Sequence, residues 1–322
     1  MNIVKMFSVF VILSTVGILY ERYNRKYFPD EELDKYDLVK KYLLNEDDRI
    51  KKKPFLWIHT KHEINSREWL SFYSRNSKNL NQPYLNLCIE SIIKYCGKSF
   101  NVCLIDDDSF GNLLDGWDID MNALSDPIKS RLRLLGKMKL LKQYGGMMAP
   151  NSMIMMKNLK SLYTKKMGCK EIFFGEMRNK SFTNDKIKYI PSTEFMGCSR
   201  NNKLMDEVIS FYEKLISVDN TNESEFIGKL NLMLYNKCSN NEACLINGTQ
   251  IGIKTKDNKE VLVDDLMQDG HIDFDEEMYC VYLPEEEIKR RTKYNWFLKL
   301  DKEDIFTSNT VAGKYLLISH GY

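Results

Sequence analysis

Two groups of polar residues in this sequence lie where side chains could do chemistry. His59 ends a short apolar run, and Asp106 and Asp107 follow a second apolar run at 100–105. Both runs have the composition of buried strands, and residues 85–95 between them carry apolar side chains at the period of a helix. Strand–helix–strand order indicates a parallel α/β unit, in which ligands bind beyond the carboxyl ends of the strands. We therefore expect His59, Asp106 and Asp107 at one edge of a sheet.

The elements that must position these residues continue along the chain. Ser125-Asp126-Pro127 is a typical helix start, and the helix that follows runs to Tyr144 and ends at Gly145-Gly146. Residues 147–156 then predict a methionine-rich core strand that is interrupted by Pro150-Asn151-Ser152. Further strands are expected at 172–174, 195–198, 250–254, 261–263, 278–283 and 315–320, and further helices at 202–216 and 285–293.

Composition limits the possible protein classes. Of the 322 residues, 43% are hydrophobic, which suffices for the core of one large domain over residues 54–322. The 47 basic and 45 acidic residues leave a net charge of only +2, so no basic surface indicates a nucleic-acid partner. The sequence thus predicts an α/β globular domain.

The cysteines and acidic pairs give little support to a metal site. None of the eight cysteines forms a CxxC pair, so a structural zinc site is not expected, although Cys238 and Cys244 could close a small loop. Most of the cysteines are expected as small buried side chains in the core. Asp118/Asp120 and Asp273/Asp275 have the i, i+2 spacing that can hold a cation, but solvated loops are the favoured interpretation. No metal ligand is therefore assigned.

The amino-terminal segment has the character of a membrane anchor. Residues 6–20 are uncharged and apolar and are followed by basic residues, so 1–26 predict a single-pass anchor and 27–53 a charged stem. A signal peptide or a buried helix are the alternatives. The excess of positive charge after the segment favours a cytosolic domain, whereas Asn-X-Ser/Thr sequons favour the opposite side, which leaves the side open. The sequons are at Asn179, Asn222 and Asn247.

Four stretches carry a resemblance to a known family. The helix that runs into Tyr144-Gly145-Gly146, the strand Trp57-Ile58-His59, the strand end Leu104–Asp108 and the block Glu194–Asn202 resemble glycosyltransferase family 32 and the related capsular polysaccharide synthesis proteins. The resemblance covers residues 54–215. More loosely, the chain resembles glycosyltransferase-like proteins of large DNA viruses, which share the stretches Lys254–Asp257 and Arg291–Tyr294.

The resemblance implies a GT-A-like nucleotide-sugar-transferase fold, with a mostly parallel sheet flanked by helices, behind an N-terminal membrane helix. The family holds its nucleotide sugar through Mn²⁺ or Mg²⁺ on an Asp-X-Asp pair, but Pro150, Asn151 and Ser152 stand at that position here. Leu134 and Lys137 stand where the family has aspartate and arginine. A divalent metal is accordingly not expected. The site residues that we expect to contact a nucleotide sugar are His59, Asp106, Asp107, Lys137, Gly145, Gly146, Asn151 and Ser152.

Three functions remain open at this point. The first is a membrane-anchored glycosyltransferase that transfers sugar from a nucleotide-sugar donor to a glycan or protein, with Lys137 on the diphosphate and Asp106 on the nucleotide. The second is a catalytically inactive structural or binding protein derived from the GT-A fold, for example a viral membrane component. The third is a membrane adaptor that binds proteins through an aromatic and methionine-rich surface.

Overall fold

The computed structural model describes residues 53–60, 82–181, 186–218 and 222–322. These residues all belong to one compact unit, Lys51–Tyr322. The expected anchor, 1–26, and all of the stem, 27–53, except Lys53 lie outside the described residues. Within the ranges described, no helix is long and apolar enough to span a membrane.

Within the described residues, strands and helices are interspersed from residue 55 to residue 246, and short helices predominate after that. The strands are β1 (Phe55–His59), β2 (Asn101–Ile105), β3 (Gly146–Ala149), β4 (Met153–Met155), β5 (Ile172–Arg178), β6 (Tyr189–Cys198), β7 (Cys244–Ile246) and β8 (Cys280–Tyr282). The α-helices are α1 (Pro83–Cys96), α2 (Ser109–Leu113), α3 (Ile128–Tyr144), α4 (Lys160–Lys170), α5 (Lys203–Ser217), α6 (Glu223–Ser239), α7 (Val263–Met267), α8 (Glu285–Arg290), α9 (Lys302–Thr307) and α10 (Val311–His320). Short 3-10 helices lie at Met121–Ala123, Thr292–Tyr294 and Phe297–Lys299.

Six strands form the main sheet in the order β2-β1-β3-β6-β5-β7. β1 is parallel to β2 and β3, β6 is antiparallel to both β3 and β5, and β5 is parallel to β7. Five strands therefore run in one direction and only β6 runs against them. β4 and β8 form a separate antiparallel pair. The expectation of an α/β domain with a mostly parallel sheet flanked by helices is confirmed.

The methionine-rich segment lies in the core, as the sequence predicted. Met147, Met148, Met153 and Met155 are each at most 2% exposed. Met147, Met153 and Met155 pack in one cluster of buried side chains. Each fully buried apolar side chain contributes about 2 kcal/mol to stability. This segment consequently does not supply the exposed surface that a methionine-rich adaptor would need.

Two glycines let α3 end against β1. Gly145 and Gly146 have φ values of +73° and +97°, in the left-handed region that favours glycine. A Cβ on Gly146 would lie 2.3 Å from the carbonyl oxygen of Phe55, and the carbonyl of Gly145 accepts a 3.0 Å hydrogen bond from the Trp57 indole. The pair thereby sets the start of β3 next to β1.

Three carboxyl-terminal expectations are wrong. Residues 315–320 form part of helix α10 rather than a strand, and residues 261–263 lead into helix α7. Residues 250–253 form turns and a bend, followed by an isolated bridge between Lys254 and Glu260. Thr310 caps α10 by accepting a hydrogen bond from the Gly313 amide at 2.9 Å. A short apolar run is compatible with either a strand or a buried helix, and here the cap favours the helix.

The disulfide also differs from the expected pairing. Cys169, the penultimate residue of α4, is bonded to Cys244, the first residue of β7, and their Cα atoms are 6.4 Å apart. Cys238 remains a free thiol, so the small loop from Cys238 to Cys244 is not closed. Sequence spacing alone could not find this bond, because the two cysteines are 75 residues apart.

Candidate functional site

Most of the sequence-predicted residues lie where three parallel strands end. His59 is the last residue of β1 and pairs with Ile105, the last residue of β2, so Asp106 and Asp107 follow at the same edge. Ile58 pairs with Ala149 of β3, which brings the Pro150–Ser152 turn to this edge as well. The placement of His59, Asp106 and Asp107 at one sheet edge agrees with the sequence.

Asp107 is the centre of a cluster of basic side chains. Arg133 of α3 donates from Nε to Oδ1 and from Nη2 to Oδ2 of Asp107, both at 2.6 Å. His59 Nε2 lies 3.0 Å from Oδ1, and Lys129 Nζ lies 3.6 Å from Oδ2. Such a two-pronged arginine–carboxylate pair is among the strongest hydrogen-bonded contacts in proteins.

The contacts fix the charges of the cluster. Burial disfavours the ionised form of Asp107, but hydrogen bonds from Arg133 and His59 outweigh it and lower the pKa of Asp107 well below its usual range. Burial and the charge of Lys137 lower the pKa of His59 to about 3, against the raising effect of Asp107. At neutral pH, His59 is therefore a neutral imidazole that donates Nε2–H to an ionised Asp107.

Aromatic side chains hold the histidine from the other side. The His59 ring stacks on Phe110 of α2, with centroids 5.8 Å apart and planes 14° apart. Phe110 in turn packs against Trp117 and against α3, where a Cβ on Gly136 would lie 2.8 Å from the Phe110 ring. His59 is 6% exposed, so it orients Asp107 and does not face solvent.

Asp106 makes local hydrogen bonds. Its Oδ1 accepts from the amide of Ser109 at 2.9 Å and from the Ser109 hydroxyl at 2.6 Å. The Asp106 amide donates to the same hydroxyl at 3.0 Å. These bonds define the start of α2, and contact of Asp106 with a nucleotide remains a prediction.

The turn after β3 joins this cluster to the next part of the edge. Ser152 is 2% exposed, and its carbonyl accepts a 3.0 Å hydrogen bond from the amide of Leu283, just after β8. Asn151 is half-buried. Lys137, one helical turn after Arg133 on α3, is half-buried and close enough to His59 for its charge to act on that ring. These three residues of the expected set thus lie near the carboxyl edge.

The two glycines of the expected set lie elsewhere. Gly146 begins β3 beside Phe55, at the amino end of β1. His59 follows Phe55 by four residues, which corresponds to roughly 13 Å along a strand. The structure consequently does not bring Gly145 and Gly146 together with the Asp107 cluster.

Sequence reasoning missed Lys129 and Arg133. Both belong to α3, and together with Lys137 they are spaced four residues apart, so they share one helical face. This spacing was a readable signal, because cations repeated on one face of a helix that starts beside strand ends can meet an acidic or anionic partner there. Asp126 and Glu286 also lie close enough to act on Arg133.

The residues at this edge do not fit a divalent cation. Mn²⁺ and Mg²⁺ need several oxygen ligands, but both oxygens of Asp107 accept from Arg133, and Pro150 offers no side-chain ligand. Across the described residues, no group of three His, Cys, Asp or Glu side chains could hold a metal. His320, at the end of α10, hydrogen-bonds the Leu316 carbonyl and stands 3.6 Å from Glu90.

A cleft opens further along the same edge. β5 runs in the direction of β1, so its last residue, Arg178, also reaches the carboxyl edge. The cleft is lined by Arg178 and Lys180 and by Glu194 of β6, Tyr282 of β8 and Glu287 of α8. Tyr282 donates a 2.8 Å hydrogen bond to Glu194. Glu194 begins the block Glu194–Asn202, which carries part of the family resemblance, but no spacing in the sequence connects Glu194 to Tyr282.

Similarity to known proteins is found among solved structures. No family model matches the sequence, and no curated protein matches it. Among solved structures, the chain is similar to the crystal structure of the glycosyltransferase GlyE of Streptococcus pneumoniae TIGR4, with 11% sequence identity and a TM-score of 0.35. The match covers 62% of this chain and 46% of that chain, so it spans less than half of the neighbour's length.

Proposed function

We propose that this chain is a GT-A-like, glycosyltransferase-like protein that binds a nucleotide-sugar donor at the carboxyl edge of its main sheet. In this proposal the diphosphate is held by basic side chains of α3 and not by a metal ion on an aspartate pair. The sugar is then transferred to a glycan or protein acceptor in the cleft beside β6 and β8.

One observation carries the proposal: a single face of α3 directs three cationic side chains to the ends of β1 and β2. Lys129 and Arg133 contact Asp107, and Lys137 acts on His59. Edges of this kind are the general ligand sites of α/β sheets. Lysine can meet a phosphate as a point charge.

The proposed roles follow from the contacts. Arg133 is held by Asp107, so it positions the carboxylate and α3, while Lys137 and Lys129 supply charge to the diphosphate. Asn151 offers an amide in the turn between the cluster and the cleft. Neutral His59 stays buried as the orienting partner of Asp107, since a pKa of about 3 makes it a poor base at neutral pH.

The proposed transfer breaks the bond between the anomeric carbon and the diphosphate oxygen. The acceptor hydroxyl oxygen forms the new bond to that carbon, and its proton passes to Glu194, the cleft carboxylate that accepts from Tyr282. The nucleoside diphosphate leaves with the bonding electrons, and the nearby cations stabilise its charge.

A thermal-shift screen tests the proposal. Purified protein is heated with a panel of uridine, guanosine, cytidine and adenosine sugar nucleotides, each with Mn²⁺ and with a chelator. We expect at least one class to raise the unfolding temperature equally in both conditions, because a bound ligand stabilises the folded state. If no sugar nucleotide shifts the unfolding temperature, the proposal fails.

A second candidate is a non-catalytic binding or structural protein on the same scaffold. It is favoured by the saturation of Asp107, whose oxygens are all occupied by side chains of this chain, and by the burial of Ser152. This candidate predicts no turnover, so the measurement is release of free nucleoside diphosphate from the ligand that binds in the screen. Steady hydrolysis or transfer by the unmodified protein would exclude it.

The membrane anchor in residues 6–20 completes the proposal. The test is sedimentation of the full chain, expressed in cells, after alkaline extraction of membranes. We expect the full chain to remain with the membranes and a chain beginning at residue 27 to be released. Release of the full chain would contradict the anchor but would leave the proposed ligand site untouched.

A further inference from the structure

The three sequons of the chain differ in accessibility. Asn179 is 1% exposed, its amide nitrogen donates to the Ile187 carbonyl at 2.7 Å, and its oxygen accepts from the amide and the hydroxyl of Ser181 at 3.0 and 2.6 Å. A glycan on this nitrogen would break the bond to Ile187 and could not be accommodated in the interior. The Asn179 sequon is therefore incompatible with modification of the folded protein.

The other two sequons present their asparagines on the surface. Asn247 is exposed just after β7, and its Oδ1 accepts from the amide of Thr249 at 3.0 Å. Asn222 is exposed at the start of α6, and its Oδ1 accepts from the amide of Ser224 at 3.1 Å. Both bonds use the side-chain oxygen, so a group added to the nitrogen would leave them intact.

The disulfide gives an independent indication of the compartment. Cys169 is exposed and Cys244 is 7% exposed, and their Cα separation of 6.4 Å is within the usual range for a disulfide. Structural disulfides persist in secreted and luminal proteins, whereas the cytosol keeps thiols reduced. Cys244 stands three residues before Asn247, so both features belong to the same part of the surface.

The six free cysteines are protected from the same oxidising conditions. Five are buried and Cys238 is half-buried. Burial raises the pKa of Cys96 and Cys238 to about 11 and that of Cys103 and Cys198 to about 12. Protonated, enclosed thiols react slowly, so oxidation is confined to the pair at Cys169 and Cys244.

We infer that the globular unit matures in an oxidising, glycosylating compartment, with N-linked glycans on Asn247 and Asn222 and none on Asn179. The asparagine nitrogen loses a proton and bonds the anomeric carbon of a diphosphate-activated oligosaccharide of that compartment, whose diphosphate leaves. The Cys169 and Cys244 thiols lose two protons and two electrons to a disulfide carrier of the same compartment, which is reduced to its dithiol. This inference does not depend on the proposed ligand site.

The test is peptide mapping of the full chain, expressed with its own amino terminus in eukaryotic cells. The cells are first treated with a thiol-blocking reagent, and N-glycans are then removed by an amidase that converts a glycosylated asparagine to aspartate. We expect conversion at Asn247 and Asn222, no conversion at Asn179, and a linked pair of peptides containing Cys169 and Cys244. The variants Thr249→Ala and Ser224→Ala should each remove one glycan while retaining the backbone hydrogen bonds.

Three results would overturn the inference. They are an unconverted Asn247, a converted Asn179 in folded protein, and a Cys169 thiol that is alkylated without prior reduction. The mapping is made on the unsubstituted chain, so a variant that folds poorly does not affect the conclusion.

Discussion

At the scale of single residues, the Asp107–Arg133 pair governs both charge and packing at the sheet edge. The side chains of Asp107 and Arg133 are only 15% and 9% exposed, so removing one partner leaves the other as a largely buried charge that has lost its strongest contact. Such losses cost about 3–5 kcal/mol of unfolding free energy, whereas the pair as a whole contributes far less than that to stability. Arg133 thus behaves as part of the fold as well as part of the site.

We expect Arg133→Ala to lower the free energy of unfolding by about 3 kcal/mol, measured by urea denaturation. Lys139→Ala is the matched control on the same helix, because Lys139 pairs with Glu213 on the surface with both side chains more than a third exposed. The control should cost less than about 1 kcal/mol. Equal effects of the two substitutions would contradict a buried, coupled role for Arg133.

His59 gives the cluster a pH dependence. Its pKa is about 3 in the folded protein and near 6.5 when unfolded, so between these values the unfolded state binds the extra proton. Stability attributable to His59 is therefore present above pH 6.5 and is lost as the pH falls, by about 2 kcal/mol between pH 6.5 and 4.5. Asp107 loses its own contribution only at lower pH, since its pKa is lowered.

The measurement compares unfolding free energies of the wild type and His59→Gln across this pH range. The glutamine variant should be less stable at pH 7 and should have a smaller slope between pH 6.5 and 4.5. His271→Gln, at an exposed position, should keep the wild-type slope. A His59→Gln slope equal to that of the wild type would show that His59 is not buried as a neutral ring.

At the scale of elements, the end of α3 depends on glycine geometry. Gly146→Ala should destabilise the protein by at least about 2 kcal/mol, because φ is +97° and the new Cβ would lie 2.3 Å from the Phe55 carbonyl oxygen. Gly168→Ala, on helix α4 with no atom near its Cβ position, should stabilise by up to about 1 kcal/mol. Thermal unfolding of both variants checks this, and a harmless Gly146→Ala would refute the close approach.

The turn between β3 and β4 should not accept an aspartate pair. Ser152→Asp places a carboxylate at a position only 2% exposed, which should cost at least about 2 kcal/mol of unfolding free energy. Asn151→Asp, at the half-buried neighbour, should cost less than about 1 kcal/mol. If the Ser152→Asp protein were stable and bound Mn²⁺ in calorimetry, the turn would still have the geometry of a metal site that lacks only its carboxylate.

Local sequence signals were sufficient to locate strands and helices where the apolar period and the capping residues agreed. The first two strands, helix α3, its Gly145-Gly146 ending and the helix after Asn202 follow from apolar spacing and breaker residues. The run 315–320 is a helix and not the expected strand, because its mostly apolar residues fit both periods and the deciding cap at Thr310 lies outside the run. Position in the sequence likewise could not reveal that Gly146 of β3 lies beside the amino end of β1, whereas His59 is at the carboxyl end of β1.

The site was predictable only in part for a similar reason. Strand ends placed His59, Asp106 and Asp107 at one edge, because parallel order fixes where the carboxyl ends meet. The choice of Asp107 over Asp106 as the partner of Arg133 is a tertiary contact between residues 26 apart. Asp106 instead accepts a hydrogen bond from the Ser109 amide. The sequence alone does not show which of the two adjacent carboxylates pairs with Arg133.

At the scale of the whole molecule, one continuous edge links the basic cluster, the turn at Asn151 and the cleft beside Glu194. The hydrogen bond between the Ser152 carbonyl and the Leu283 amide fixes the turn to the segment that lines the cleft. The proposed function requires this edge to hold a charged donor at one end and an acceptor at the other, with no metal ion between them.

The most direct test is calorimetric titration of the sugar nucleotide selected by the screen, with chelator present, into the wild type, Lys137→Ala and Lys139→Ala. We predict unchanged affinity for Lys139→Ala and a loss of at least about tenfold for Lys137→Ala, the value of one charge-assisted contact to phosphate. Addition of Mn²⁺ should leave the wild-type dissociation constant unchanged. Equal affinities for the two lysine variants, or binding that requires Mn²⁺, would contradict the account.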